Sequence, residues 1–463
     1  MNSKYKVLAS NTIIFAIGNI LVKLISFFLM PLYTSILTVE EYGVAELLNN
    51  SIEIVLPIVT LCIIEALYRF SIDKKVDHST IFINTLFVIV AGDIIVLIGT
   101  LICFFVFQYK DVVYFLLLFV TTTFYKLTTQ FSRGLGHIKR YAFYGVLNSL
   151  LLVSSNIILL FIFKGGVNEY LLSFSIGYGV SGCVAMLLSN EYRYIKVGKF
   201  DKKKLKEMLN YSLPNIPNML SWWVNSLSDR YIVLIYWGTQ TTGLYTAASK
   251  LPAMINLVTS IFQQAWQYSA VKEIESKDNS EFYSNIFRGY SYVCIVACSF
   301  LLTMNKLICR FLLKESFYVA WKYVSLLLLA ATFGCIATYF GTFYNAVKKN
   351  GMLMISTVSG SLVNLMLNFL LIPLFGAMGA AIATMVSYFI IMIIRMIDVN
   401  RFIEIYIDYI RFIIQFILLF VSAVFSCFEG YISLFGPTII LVIIFFSDFE
   451  LLNKCVITLK RVI

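Results

Sequence analysis

The chain has 463 residues, 60% of them hydrophobic and only 13% charged, with a mean hydropathy of +0.84 and a formal net charge of +11. A soluble chain of this length would carry far more charge on its surface, which excludes soluble enzymes and nucleic-acid-binding proteins. Apolar runs of about 20 residues, the length of helix that crosses a bilayer, recur along the chain and predict an all-α polytopic membrane protein.

The patterning predicts fourteen spans, at about 10–34, 42–68, 80–107, 112–131, 141–163, 169–189, 212–236, 245–270, 288–309, 321–345, 351–373, 377–397, 410–427 and 431–447. The opening MNSKYKVLASN enters a full-length apolar run without a small-residue cleavage site, so no cleavable signal is expected. An even number of spans puts both termini on one side. Most of the 36 Lys and Arg fall on that side, which predicts cytoplasmic termini. The stretch Lys306–Lys322 dissents, with four cations on the outer side. The basic excess therefore suits anionic lipid headgroups of the membrane rather than nucleic acid. Nine Cys are scattered without a C-x-x-C pair, and the only two His, His78 and His137, lie in predicted loops. No metal and no cofactor are expected.

The most hydrophilic piece, NEYRYIKVGKFDKKKLKEMLN, falls between spans six and seven. It divides the chain into a six-helix lobe at 1–189, a cytoplasmic crossover at 190–211, a second six-helix lobe at 212–397, and two further helices with a tail at 398–463. Internal echoes support two parallel repeats. Phe131, Ser149, Asn156 and Phe163 return 212 positions later as Phe343, Ser361, Asn368 and Phe375. An echo at 202 pairs Ser10 with Ser212 and Ser26 with Ser228.

Residues three and four apart share a helix face. In span one Asn11, Asn19, Lys23 and Ser26 form one polar stripe. In span seven Asn218, Ser221, Asn225 and Ser228 form another, beside Asp229. Polar faces at bilayer depth need water or one another, so both stripes are expected to line a central cavity between the lobes. A charge in the hydrocarbon costs about 2.5–3.5 kcal/mol on insertion scales, which makes Lys23, Arg230, Lys250 and Lys126 candidate substrate-binding groups, with Asn19 and Asn225 beside them. Asp93 and Asp229 are candidate ion-coupling sites for a proton or sodium gradient, or charge partners of those cations. Glu65 and Arg69, four apart in span two, are expected to pair with each other. Pro31, Pro57, Pro214 and Pro217 mark expected bends or ends of helices.

The stretch Ser228–Leu251, SDRYIVLIYWGTQTTGLYTAASKL, carries both Asp229–Arg230 and Lys250 around a polar turn. Its Asp-Arg-Tyr helix, followed by Gly243, Tyr245, Ala248, Lys250 and Leu251, resembles a signature of the polysaccharide (Wzx-type) flippases of the MATE-like exporter superfamily. Asn19 through Phe28, Pro31-Leu-Tyr-Thr34 and Leu37-Thr-Val-Glu-Glu-Tyr-Gly43 look like the first helix and outer loop of the same proteins. The resemblance is specific only in these two places. It implies a non-enzymatic flippase of the bacterial cytoplasmic membrane that moves a polyprenyl-pyrophosphate-linked oligosaccharide outward by alternating access. O-antigen, capsule or exopolysaccharide synthesis would follow, with polymerase or assembly proteins as partners. A net-cationic cavity suits the pyrophosphate, because Arg forks onto phosphate oxygens and Lys meets them as a point charge. It disfavours the alternative of a drug antiporter for organic cations. A membrane polymerase, the other alternative, would need a larger outer loop than any predicted here.

Overall fold

The computed structural model describes residues 29–73, 76–109, 111–256, 259–260, 262–263, 266, 279–347 and 350–448, and every regular element among them is helical. Nine of these helices are long and apolar enough to cross a membrane, or ten if one bent pair is a single span. The chain divides into two compact units with the boundary between Trp223 and Val224.

The first unit begins with α1 (Met30–Ile36), α2 (Val39–Val59) and α3 (Ile63–Ser71). The Leu-Thr-Val-Glu-Glu motif explains where α2 starts. Thr38 accepts from the Glu41 amide at 3.2 Å, and Glu41 answers on the Thr38 amide at 2.9 Å, a reciprocal cap. Pro57 lies inside α2, which ends two residues later, and α3 leaves at 69°. Leu61 and Cys62 make the corner with left-handed φ angles of 52° and 53°. For side-chain-bearing residues such angles are tolerated only where the surroundings impose them. The expected bend in span two is therefore a true break. The expected pairing of Glu65 with Arg69 is not made: both are exposed, and no ion pair joins them among the described residues.

The remaining long helices are α4 (His78–Phe107), α5 (Val112–Gly134), α6 (Ile138–Asn156, extended by a π turn at Ile157–Ile162) and α7 (Val167–Leu188). Asp77 caps α4, and the Thr80 hydroxyl on its carboxylate holds its pKa below the ordinary value. Large apolar side chains such as Phe87, Ile94, Ile98 and Phe105 stand exposed along α4, the face a membrane helix turns to lipid. The hydrophilic stretch folds as α8 (Tyr192–Val197) and α9 (Lys202–Ser212). It is fastened to α4 by one buried side chain. Asn84 donates to the Asp201 carbonyl at 2.9 Å and accepts from the Asp201 amide at 3.1 Å.

The second unit takes up most of α10 (Asn215–Ala248), then α11 (Asn279–Leu312), α12 (Trp321–Ala346), α13 (Asn350–Phe375), α14 (Ala377–Val399), α15 (Tyr409–Ser426) and α16 (Ile432–Phe446). Two of the four dissenting cations meet the Trp321 ring here. Lys306 lies 4.1 Å over the Trp321 ring and donates to the Phe428 carbonyl, while Lys322 lies 5.9 Å from the same ring.

The echo at 212 extends to the environment of each residue. Phe131 and Phe343 are fully buried, Ser149 and Ser361 are buried, Asn156 and Asn368 are fully buried, and Phe163 and Phe375 are both exposed. Ser149 and Ser361 each donate to the carbonyl four residues back. Asn156 and Asn368 each donate four residues back as well, and each leaves its side-chain oxygen buried without a partner.

Glu191, in the short link between α7 and α8, is fully buried, and neither carboxylate oxygen meets a donor. Burial pushes its pKa up to about 9. The folded protein thus holds the acid protonated, whereas the unfolded chain releases the proton near the ordinary glutamate value. Stability from this site is full at acidic pH and is lost as pH rises toward 9. Glu191→Gln is expected to raise the unfolding temperature of the purified protein at pH 8, with the gain vanishing toward pH 5. An unchanged melting temperature at pH 8 would show that the carboxyl is not held neutral.

Candidate functional site

The site grows from one residue that breaks a helix. Gly238 adopts φ 77° and ψ −176° inside α10, a left-handed conformation that glycine takes without the Cβ penalty. The break turns the following segment back on the preceding one. Asp229 and Tyr245, sixteen residues apart, meet directly: the Tyr245 hydroxyl donates a hydrogen bond to Asp229 Oδ2. Sixteen residues of straight helix would span ~24 Å, so this bond exists only because the chain reverses at Gly238. The expected polar turn is therefore a single glycine, and the Thr-Gln-Thr-Thr that follows is helical.

Asp229 is 4% exposed. Besides Tyr245 it accepts from Thr384 Oγ1 of α14 at 3.3 Å, and its other oxygen accepts from the Arg230 amide at 2.9 Å. Behind Thr384 stand two asparagines of α13. Asn364 donates to Thr384 Oγ1 at 3.4 Å, and Asn368 donates to Asn364 Oδ1 at 2.9 Å. Asn368 Oδ1 is the buried, unpartnered oxygen described above. A carboxylate, a tyrosine, a threonine and two asparagines thus form one hydrogen-bonded chain between α10, α13 and α14.

Arg230 acts on this cluster electrostatically, but its side-chain hydrogen bonds go elsewhere. Its Nη2 donates to Ser249 Oγ at 3.0 Å and its Nη1 makes a long 3.5 Å contact to the Ser226 carbonyl. Its Nε is buried with no acceptor. Lys250 follows Ser249 in the turn after α10, half-buried. Asn225 faces the other helices of its own unit, donating to the Thr357 carbonyl at 3.3 Å and accepting from Ser387 Oγ at 3.4 Å.

The first unit holds two of the other candidates. Asp93 of α4 accepts from Thr123 of α5 at 3.1 Å and is half-exposed. Lys126 of α5 is half-buried without a hydrogen bond among the described residues, and Glu53 and Glu65 act on it electrostatically. Lys23 and Asn19 lie outside the described residues.

Sequence reasoning missed Arg395 and Glu46, both buried. Arg395 of α14 is 8% exposed and has no carboxylate beside it among the described residues. It donates at 3.0 Å to Ser356 Oγ, to Thr357 Oγ1 and to the Ala337 carbonyl, stapling α12 and α13 to α14. Gly341 makes room for it, since a Cβ there would stand 2.8 Å from Arg395 Nη1. Glu46 of α2 is 3% exposed and accepts from Tyr42 at 3.2 Å and from Tyr170 of α7 at 2.9 Å. The available signals were an arginine within an apolar span and an acid four residues after a tyrosine.

A model of the polysaccharide biosynthesis protein family matches residues 8–268. The chain belongs to that family. It is 24% identical over 251 residues to a probable low-salt glycan biosynthesis flippase, Agl15, of Haloferax volcanii. That match covers 53% of this chain and 52% of the relative, so the chain spans about half the length of the curated protein it matches. Among solved structures the fold is that of the lipid II flippase MurJ in an inward closed conformation, with a TM-score of 0.70 at 14% identity over 95% of this chain and 100% of that one. A point mutant of the Vibrio cholerae MATE transporter VcmN aligns with a TM-score of 0.54 at 14% identity over 86% and 96% of the two chains. The protein is thus a multi-pass membrane protein with the MATE-like all-α fold.

Gly341→Val is expected to lower the unfolding temperature by crowding Arg395, at a cost of ~1–3 kcal/mol. The double variant with Arg395→Met should recover part of that loss. Purely additive effects in this cycle would show that the two residues are not coupled.

Proposed function

We propose that this family member is a flippase that carries a polyprenyl-pyrophosphate-linked oligosaccharide from the cytoplasmic to the outer face of the bacterial cytoplasmic membrane by alternating access, for surface polysaccharide synthesis. The observation that carries the reading is Arg230. Its guanidinium is half-buried within electrostatic reach of Asp229, and its Nε is buried without a hydrogen-bond partner among the described residues, while the hydroxyls on that carboxylate come from Tyr245 and Thr384. A guanidinium whose Nε still lacks an acceptor suits an anionic group brought by the substrate, and its fork of donors suits a phosphate. Lys23, Lys250 and Lys126 supply further positive charge, and Asn19 and Asn225 hydrogen-bonding groups. Substrate binding and an ion gradient then shift a two-state equilibrium, and no covalent step is asked of the protein.

Of the two acids proposed for coupling, Asp229 is better furnished than Asp93. Asp93 has one hydroxyl beside it, whereas Asp229 heads a hydrogen-bonded line that ends in the unpartnered Asn368 Oδ1. A proton or a sodium ion suits such a cluster, since hard cations take oxygen ligands. Its entry would release the bond from Tyr245, which ties the two halves of α10 together.

The test uses purified protein in vesicles with a fluorescent polyprenyl-pyrophosphate-linked sugar, scored by accessibility of the sugar to an external lectin. Arg230→Ala should slow transfer at least about tenfold, the worth of one charge-assisted hydrogen bond. Asp229→Asn should remove its dependence on an imposed proton or sodium gradient. Wild-type transfer by Arg230→Ala and Lys250→Ala alike would overturn the anionic-substrate reading. Reporter fusions give the orientation: a fusion after Lys206 should report the cytoplasm and one after Gly238 the outside.

A further inference from the structure

The hydrophilic crossover of the first unit lies against α4 at three successive points. Gly198 passes so close that a Cβ there would stand 2.7 Å from the Ser79 carbonyl. Asp201 is held by Asn84 through the pair of hydrogen bonds described above. Between them the Phe200 ring packs on the ring of Phe87, with centroids 5.0 Å apart. Phe87 begins the exposed apolar stripe of α4 that continues through Val90, Ile94 and Ile98, three and four residues apart. Phe200 therefore sits where the lipid-facing surface of this helix begins, at the boundary between hydrocarbon and headgroups.

The side chains around Phe200 are sorted by the way the crossover packs. Tyr194 of α8 turns inward, its ring 5.0 Å from Phe131 of α5, while Ile195, Lys196 and Val197 stand outside. Met208 and Ser212 of α9 are fully buried, so its lysines fall on the outer side. Val197 is 71% exposed and Phe200 50%. From 193 to 207 the sequence interleaves these apolar residues with seven cations and only two acids. Both acids are engaged: Glu207 takes Lys204 at 2.8 Å, and Asp201 caps α9 by accepting from the Lys203 and Lys204 amides. Arg193, Lys196, Lys199, Lys202, Lys203 and Lys206 are all exposed and make no ion pair among the described residues. Arg193 and Lys196 pass the Tyr192 ring at 5.9 and 6.0 Å, contacts that leave their charge uncompensated.

We propose that residues 193–206 form a surface site for anionic phospholipid. Val197 and Phe200 enter the acyl boundary, and the six cations gather headgroups of net negative charge. Exposed apolar side chains alone would suit any lipid, and exposed cations alone any acidic partner. Alternating within a few residues, at the foot of a lipid-facing helix, they suit a charged membrane interface. The long Lys and Arg stems let the charges reach headgroups while the backbone stays fixed on α4. A choline or ethanolamine headgroup would bring its own cation against six others, which disfavours zwitterionic lipid. The site lies within the first unit and is independent of what the protein transports.

The test places a reporter at the centre of the site. The full-length Phe200→Trp variant is reconstituted in vesicles of equal parts phosphatidylglycerol and phosphatidylcholine, with one of the two lipids brominated high on its acyl chains, and the wild-type tryptophan signal is subtracted. Brominated phosphatidylglycerol is expected to associate with the new tryptophan at least about fivefold more strongly than brominated phosphatidylcholine, the worth of one cation at an anionic surface. Salt at about 1 M should remove that preference by screening. Adding Lys199→Gln, Lys202→Gln and Lys203→Gln, all exposed positions, should remove most of it as well, with quenching by phosphatidylcholine retained. Absence of quenching by either lipid would leave the cations to a soluble acidic partner. That outcome, equal quenching by the two lipids, or a preference unchanged by the triple substitution would overturn the proposal.

Discussion

The bond between Tyr245 and Asp229 is the constraint on which the second unit's polar chemistry depends. A carboxylate in a membrane helix has no water to turn to, so its protein partners decide whether it is tolerated. Here the nearest partner is brought from sixteen residues away by a single left-handed glycine. Thr384 and the two asparagines behind it then join α13 and α14 to the same carboxylate. The reversal at Gly238 and the tolerance of charge at Asp229 are thus one fact seen from two ends. Arg230 meets that carboxylate through its charge, while its side-chain hydrogen bonds go to a carbonyl and a serine and its Nε has none.

Hydroxyls elsewhere follow the rule that membrane helices impose. Thr122, Ser149 and Ser228 each donate to the carbonyl four residues earlier in their own helix. They satisfy themselves locally and make no site. The asparagines and Arg395 cannot do so completely, because they carry more donors than one turn of helix can accept. Asn225, Asn364 and Arg395 therefore reach between helices in the second unit, and Asn368 supports Asn364 from one turn away. Polar stripes read from spacing alone mix the two kinds. Asn225 and Ser228 lie on one stripe, yet the first bonds to α13 and α14 and the second to its own backbone.

Much of the architecture was legible for a physical reason. Bilayer thickness sets span length, so apolar runs located most described helices to within a few residues, though α11 starts nine residues before its expected span and α10 runs on past the expected turn, and the one long hydrophilic stretch located α8 and α9. Pro57 and Gly238 were legible as breaks because each removes or relaxes a backbone constraint. What spacing could not convey is which side chain answers which. The Glu65–Arg69 spacing suits a pair, yet α3 begins only at Ile63 and both side chains face outward. Arg395 sits near the end of its span, where a snorkelling cation is ordinary, and only the packing of Gly341 shows that the guanidinium turns inward instead.

The internal echoes also show where a shared scaffold stops dictating chemistry. At the offset of 212 even burial and the orphaned asparagine oxygens agree, so Asn156 and Asn368 occupy equivalent places. At the offset of 202 the agreement breaks at the charges: Asp229 and Arg230 correspond to Phe27 and Phe28, and Glu46 corresponds to Ala248. Exchanging phenylalanine for aspartate in a membrane helix is unfavourable unless donors are already near. The second unit has them in Tyr245 and Thr384, while position 43, the counterpart of Tyr245, is glycine. The first unit instead gathers its tyrosines, Tyr42 and Tyr170, around Glu46. Each unit therefore buries a carboxylate under tyrosine hydroxyls, at a different point of the sequence pattern they share.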